Sequence, residues 1–448
     1  MGKPRTIYTC RHCGYQTPKW FGRCAECKEW DTLVESTESK ASRPGADSAP
    51  VQLSQVRTDR GEVRLRVGIG ELDRCLGGGL VSGSLTLLGG DPGVGKSTLL
   101  LMALDAFARR GLRTLYVSAE ESAQQVRLRA ERLGIVGDEL FILADTDLDK
   151  ALAAAEQLQP KVLVLDSVQT LYSSRLDGVP GAVTQVREVA SRAMAFAKGR
   201  DVPTILVGHV TKQGGLAGPK TLEHLVDTVI YFEGEGRTQL RCLRSTKNRF
   251  GSTGELGFFE MTGAGLQEVP DASARLLAER CAGAPGTAVM AALEGTRAVL
   301  AEVQALVGQP TPATPTRKVV GLDKARLSMV LAVLGKAGLP VHDRDVFLSA
   351  AGGVRLAEPA TDLAVAAAVA SSLTDRPLDA HTVVFGEVGL AGEVRSTPQM
   401  AARLKEAQRH GFRHVIAPRA AVKSAPKGLV VTPVRSLAEA LAALGLRT

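Results

Sequence analysis

An eight-residue loop, Gly90-Asp91-Pro92-Gly93-Val94-Gly95-Lys96-Ser97, leaves this chain little choice of fold. It follows the apolar run SLTLL and leads through Thr98 into the helical pattern TLLLMALDAFARR. A glycine loop between a strand and a helix is the setting that a phosphate loop requires. Its glycines let backbone N–H groups curl around phosphates at a helix N-terminus. Lys96 is placed to bridge the β- and γ-phosphates, and Ser97 to ligate Mg²⁺. A chance glycine-rich turn would not need that flanking order. ATP and Mg²⁺ are therefore the expected cofactors, with the cradle running from Gly90 to Thr98.

Further along, the apolar strand KVLVLD ends in Asp166, which puts a carboxylate at the C-terminal edge of a sheet, where it can hold Mg²⁺. Between the two, TLYVS runs into Glu120-Glu121. Glu120 is expected to orient the attacking water, with Glu121 as the alternative. From about Val63 to Val269, β-rich runs alternate with helical patterns such as SAQQVRLRAERLG, the mark of a largely parallel sheet covered by helices. The expected fold class is α/β.

The first thirty residues follow a different rule. They hold Cys10-x-x-Cys13 and Cys24-x-x-Cys27, two turns whose four thiolates can close a tetrahedral shell around Zn²⁺. A redox dithiol would belong beside a βαβ unit, whereas this short module has no other means of folding. Cys75, Cys242 and Cys281 read as isolated small buried residues. The stretch TESKASRPGADSAPVQLSQVRTDRG, rich in Ser, Pro and charge, reads as a linker. GQPTPATPTRK should likewise exclude a regular element. The expected organisation is a zinc ribbon over 1–32, a linker over 33–62, an ATPase domain over 63–270 and a further α+β domain over 271–448.

With 44% hydrophobic and 23% charged residues, fibrous and wholly disordered classes are excluded. The net charge of +8 suits a polyanionic partner without requiring one. No secretory signal or long apolar stretch is present, so a cytoplasmic protein with no membrane contact is expected.

The phosphate loop, the glutamate after the second core strand, the four-Cys ribbon and the segment Lys247-Asn-Arg-Phe-Gly251 together resemble the RadA (Sms) family of bacterial DNA-repair ATPases. The resemblance covers nearly the whole chain. It implies a RecA-like core that forms a homo-hexameric, DnaB-like ring. It further implies a DNA-dependent ATPase and helicase-translocase that moves on single-stranded and branched DNA, promotes branch migration in recombination, and works with the RecA recombinase. Lys247 and Arg249 would reach the γ-phosphate held by the neighbouring subunit. Loops of such proteins that follow the metal aspartate and the sensor strand bind single strands, which points to Arg175, Lys212 and Lys220 as phosphate contacts. His209 sits where this fold keeps its γ-phosphate sensor. The C-terminal part resembles the proteolytic domain of Lon, but alignment puts Ala360 and Ala401 where active enzymes have the Ser and Lys of their dyad, so no peptidase activity is expected. It would instead support the ring and offer Arg317, Lys318, Lys324 and Arg326 to DNA. The competing class is a signalling ATPase of the KaiC type that needs no DNA.

Overall fold

The strands Leu85–Gly90, Thr114–Ser118 and Val162–Asp166 are buried along their whole length. Burial on both faces is what a parallel sheet between helices demands. The computed structural model describes residues 6–10, 16–26, 28–37, 64–209, 221–234, 240–310, 314–354, 356 and 358–446. The chain divides into two compact units, one spanning residues 1–234, 241–253 and 259–268, the other 235–240, 254–258 and 269–448.

Most of a nine-stranded sheet belongs to the first unit. Its strands are β1 (Leu85–Gly90), β2 (Thr114–Ser118), β3 (Leu140–Ala144), β4 (Val162–Asp166) and β5 (Thr204–His209). They are followed by β6 (Thr228–Glu233), β7 (Leu240–Asn248), β8 (Leu256–Thr262) and β9 (Gly265–Glu268). The order across the sheet is β9-β8-β7-β6-β1-β5-β4-β2-β3. Six strands, β1 to β6, run parallel. The sequence suggested a largely parallel sheet, but β7 pairs antiparallel with β6, and β9 with β8. The six residues between β6 and β7 and the two between β8 and β9 are too few for the crossover that a parallel pairing needs.

One face is packed by helix α1 (Lys96–Ala108), whose Leu99, Leu100, Leu104 and Phe107 lie in a core with Leu88 and Val207. The opposite face takes α3 (Leu148–Leu158) and α4 (Val183–Arg200) through Leu148, Val186 and Val189. Between β2 and β3 runs α2 (Ala123–Arg132), started by a capping box in which Ser122 and Gln125 satisfy each other's backbone N–H groups. The ribbon is a separate three-stranded sheet in which Thr6–Cys10 lies between Gln16–Thr17 and Leu33–Thr37.

The second unit is built on a seven-stranded sheet, in the order 317–320, 344–350, 297–310, 287–294, 382–384, 414–418, 430–434. Here one expectation fails. The strand Arg297–Pro310 continues through Gly308 to Pro310, and a new strand starts at Arg317. Pro310 is accommodated because the pairing with 344–350 shifts register between Val307 and Pro310, a bulge that needs no N–H from the proline. Cys75 is buried as expected, but Cys242 is only half-buried and Cys281 is exposed, in the turn before Thr287–Glu294. Among the described residues, no helix is long and apolar enough to cross a membrane.

Candidate nucleotide site and its surroundings

The C-terminal edge of the parallel strands gathers the chemistry. Gly90 ends β1, Asp166 ends β4, His209 ends β5, and Glu120 lies two residues beyond the end of β2. Register brings them level, with His209 opposite Gly90 and Ser118 opposite Asp166. The loop's backbone calls for glycine. A Cβ on Gly90 would stand 2.4 Å from the Phe232 carbonyl oxygen, and Gly95 has φ 112° with the Met261 methyl 2.7 Å from its Cβ position. Asp91, Pro92, Gly93 and Val94 form the turn, and α1 starts at Lys96, so the loop's N–H groups end at a helix N-terminus. Thr98 follows within the first turn of α1.

Lys96 Nζ donates to the carbonyls of Gly90 at 2.8 Å and Asp91 at 3.0 Å. It also lies 3.1 Å from His209 Nδ1, and an ammonium can only donate there. His209 must then carry its proton on Nε2, which is 3.0 Å from Glu120 Oε1. Ser167 Oγ donates to the same glutamate oxygen. Ser97 Oγ donates to Asp166 Oδ2 at 2.7 Å, and that oxygen also accepts from the Tyr116 hydroxyl. Gln169 clasps the His209 backbone, donating to its carbonyl at 3.2 Å and accepting from its N–H at 3.3 Å. Glu121 points elsewhere, to Arg129 at 2.6 Å.

Charge is finely opposed in this cluster. Burial holds Lys96 below its ordinary pKa, against the pull of Asp166, Glu120 and Asp91. Burial pushes Asp166 up, while its bonds from Tyr116 and Ser97 favour the ionised form. The hydrogen bond from His209 holds Glu120 below the usual carboxylate range. Burial and the neighbouring Asp166 keep the Tyr116 phenol protonated. The adjacent oxygens of Ser97 and Asp166 fit a hard divalent cation, and the bent loop above Lys96 fits a polyphosphate.

Lys247 and Arg249 are not part of this cluster. Lys247 pairs with Val229 of β6, which pairs with Leu87 of β1, three residues or roughly 10 Å short of Gly90. Its amine donates to the carbonyls of Glu223 at 2.6 Å and Val226 at 2.8 Å, in the segment that precedes β6. Burial and the nearby Arg249 lower its pKa. Arg249 pairs with Asp227 at 3.2 Å, and Asp227 accepts from the N–H of Leu85, the first residue of β1. Both side chains are thus anchored at the sheet edge opposite the loop of their own chain.

DNA repair protein RadA of Pseudomonas aeruginosa is 50% identical to this chain, covering 99% of it and 100% of that protein. The RadA proteins of Bacillus subtilis and Streptococcus pyogenes serotype M6 are each 45% identical over at least 98% of both chains. The chain belongs to the RadA family. Family descriptions match segment by segment: a rubredoxin metal binding domain at residues 8–35, an AAA domain at 50–215, and subunit ChlI of Mg-chelatase at 311–421. A solved KaiC-like protein from Pyrococcus horikoshii aligns at 23% identity with a TM-score of 0.39, covering 46% of this chain and 99% of that one.

In this RadA chain, Cys10 and Cys24 are both buried and pack with Leu33 and Tyr8 in one small cluster, although they come from different turns. Cys13 and Cys27 lie outside the described residues. The pair suits a four-thiolate zinc site, where metal binding and folding are one event. Replacing Cys24 and Cys27 with Ser should release one zinc per chain and leave the thermal transition of the ATPase sheet in place. Metal analysis of protein purified without chelator checks the first point; a zinc-free wild type would end the assignment.

Of the candidate DNA contacts, Arg175 is exposed and 3.7 Å from Asp149, while Lys212 and Lys220 lie outside the described residues. In the Lon-like domain, Ala360 is buried in the turn before helix Asp362–Thr374, and Ala401 is exposed on helix Met400–Arg409. Fully buried Arg403 forms a bidentate pair with Glu358 and donates to Ala291 O at 2.5 Å and Pro398 O at 3.0 Å. Arg326 is half-buried and bound to Asp362, which makes it a poor DNA contact; Arg317, Lys318 and Lys324 make no such pair among the described ion pairs. Sequence reasoning missed Tyr116, Ser167 and Gln169. The only signal for Tyr116 was a hydroxyl in an otherwise apolar buried strand.

Proposed function

We propose that this chain is a ring-forming, DNA-dependent ATPase that moves on single-stranded DNA and promotes branch migration of recombination intermediates. The observation that carries the reading is the division of its machinery. Lys96, Ser97, Glu120, Asp166 and His209 meet at one edge of the sheet, while Lys247 and Arg249 are tethered at the other. A chain built this way completes its site with a neighbour's Lys and Arg, which supports a ring, with six subunits as the expected number. The RadA names of its relatives support DNA repair as the setting; within it the partners proposed are single-stranded and branched DNA and the RecA recombinase, and the location proposed is the cytoplasm. A DNA-free signalling ATPase of the KaiC type is disfavoured by that full-length similarity.

In the reaction, Lys96 exchanges its carbonyl partners for phosphate oxygens, and the loop N–H groups hold the β-phosphate. Glu120, kept ionised by His209, orients the attacking water and takes its proton. His209 spans Lys96 and Glu120 and so couples phosphate occupancy to the base. Mg²⁺ held by Ser97 and Asp166 would neutralise phosphate charge as the bond to the leaving group breaks.

Glu120→Gln should keep ATP binding and lower turnover by a factor on the order of 10²–10⁴, the usual worth of a positioned base. Phosphate release beside nucleotide binding reads that split. The DNA half of the reading is tested by ATPase rates with and without single-stranded DNA and by a branch-migration assay on a three-stranded junction. No stimulation and no migration by wild-type protein would reject it.

A further inference from the structure

Asp166 Oδ2 is the acceptor of two hydroxyls that approach from different elements. Ser97 Oγ, in the first turn of α1, donates at 2.7 Å, and the Tyr116 hydroxyl, from the middle of β2, donates to the same atom. Tyr116 is 1% exposed and pairs with Val164 of β4, two residues before the register position where Ser118 meets Asp166. It therefore rises from the sheet beneath the carboxylate, from the strand next to the one that carries it. Asp166 is itself buried, and a buried carboxylate whose orientation is not fixed can turn either oxygen toward a cation.

We infer that Tyr116 is a positioning residue for divalent-cation binding: its hydroxyl fixes one oxygen of Asp166 beside Ser97, so that the two ligands are set before Mg²⁺·ATP arrives. Outer hydrogen-bond partners of this kind orient the ligating group, and removing one commonly costs 10–100-fold in metal affinity. The phenol ring also fills space in the core with Leu104 and Val164, and a purely space-filling role is the competing explanation. Tyr116→Phe separates the two, because it keeps the ring and removes only the donor.

This inference rests on the nucleotide-site reading, and the experiment tells their failures apart. Purified wild-type and Tyr116→Phe proteins are titrated with ATP in EDTA and then, at fixed ATP, with Mg²⁺, with Mn²⁺ binding in the presence of ADP followed by electron paramagnetic resonance. The variant is expected to bind ATP in EDTA as the wild type does, and to need roughly tenfold more Mg²⁺ and Mn²⁺ for half-saturation. Turnover at saturating Mg²⁺ should recover most of the wild-type rate. If the variant melts earlier yet shows unchanged cation titrations, the hydroxyl serves packing alone and the inference fails. If wild-type protein itself shows no cation-dependent nucleotide binding, the nucleotide-site reading falls first. Should Tyr116→Phe be destabilised, Leu104→Ala, which disturbs the same core and keeps the hydroxyl, provides the second variant; wild-type cation dependence in Leu104→Ala supports the role, and an equal weakening there shows that packing is being read and overturns it.

Discussion

Lys96→Ala is expected to all but abolish ATP hydrolysis, with turnover falling by a factor on the order of 10³, as loss of a single well-placed transition-state donor implies. The ammonium is held by two loop carbonyls and His209, so it already sits where phosphate oxygens must arrive. Burial lowers its pKa and the surrounding carboxylates oppose that shift, so the amine is already placed for a polyanion at little reorganisation. Alanine removes that charge and leaves His209 without its Nδ1 partner. Phosphate release by the purified variant, with circular dichroism to confirm folding, is the measurement. Turnover at the wild-type rate would exclude this loop as the catalytic site.

Lys247→Ala is expected to separate binding from turnover: nucleotide binding persists through an intact loop, while hydrolysis falls on the order of 10³-fold, the lower end of the effect of a supplied cationic finger. Mixing decides where the residue acts. In rings assembled from Lys96→Ala and Lys247→Ala chains, some interfaces join an intact loop to an intact finger, so part of the activity should return. If Lys247 serves its own chain, every subunit carries a defect in its own site and mixing restores nothing. The sheet register favours the first outcome, since the Lys247 amine is anchored on Glu223 and Val226 rather than near Gly90. Absence of recovery in rings shown to be mixed would reject the assignment.

The nucleotide cradle was legible because its requirements are local. Glycines at Gly90 and Gly95, a strand before and a helix after are dictated by backbone geometry within a few residues. Asp166 was legible for the same reason, as the polar end of an apolar strand. The choice between Glu120 and Glu121 was not, because adjacent residues leave a turn in different directions and only the partners, His209 or Arg129, tell them apart. Tyr116 escaped because a tyrosine in a buried strand reads as core until its hydroxyl is seen to meet a carboxylate from another strand. The largely parallel sheet was legible, but the antiparallel pairings of β7 with β6 and of β9 with β8 were not, because strand direction depends on connection length more than on composition. Pro310 misled for a related reason: proline forbids an N–H bond but tolerates the end of a strand at a bulge.

The separation of Gly90 from the Asp227–Arg249 pair by the length of β1 has an arithmetic consequence. If each site is shared, an open arc of n subunits contains n − 1 complete sites and one idle loop, while a closed circle of the same n has none idle. Turnover per chain then depends on closure as well as on concentration. A dimer would work at half capacity, a long arc at nearly full capacity, and the final joining step would switch on one last site. An ATPase wired in this way reports its own state of assembly through the phosphate it releases.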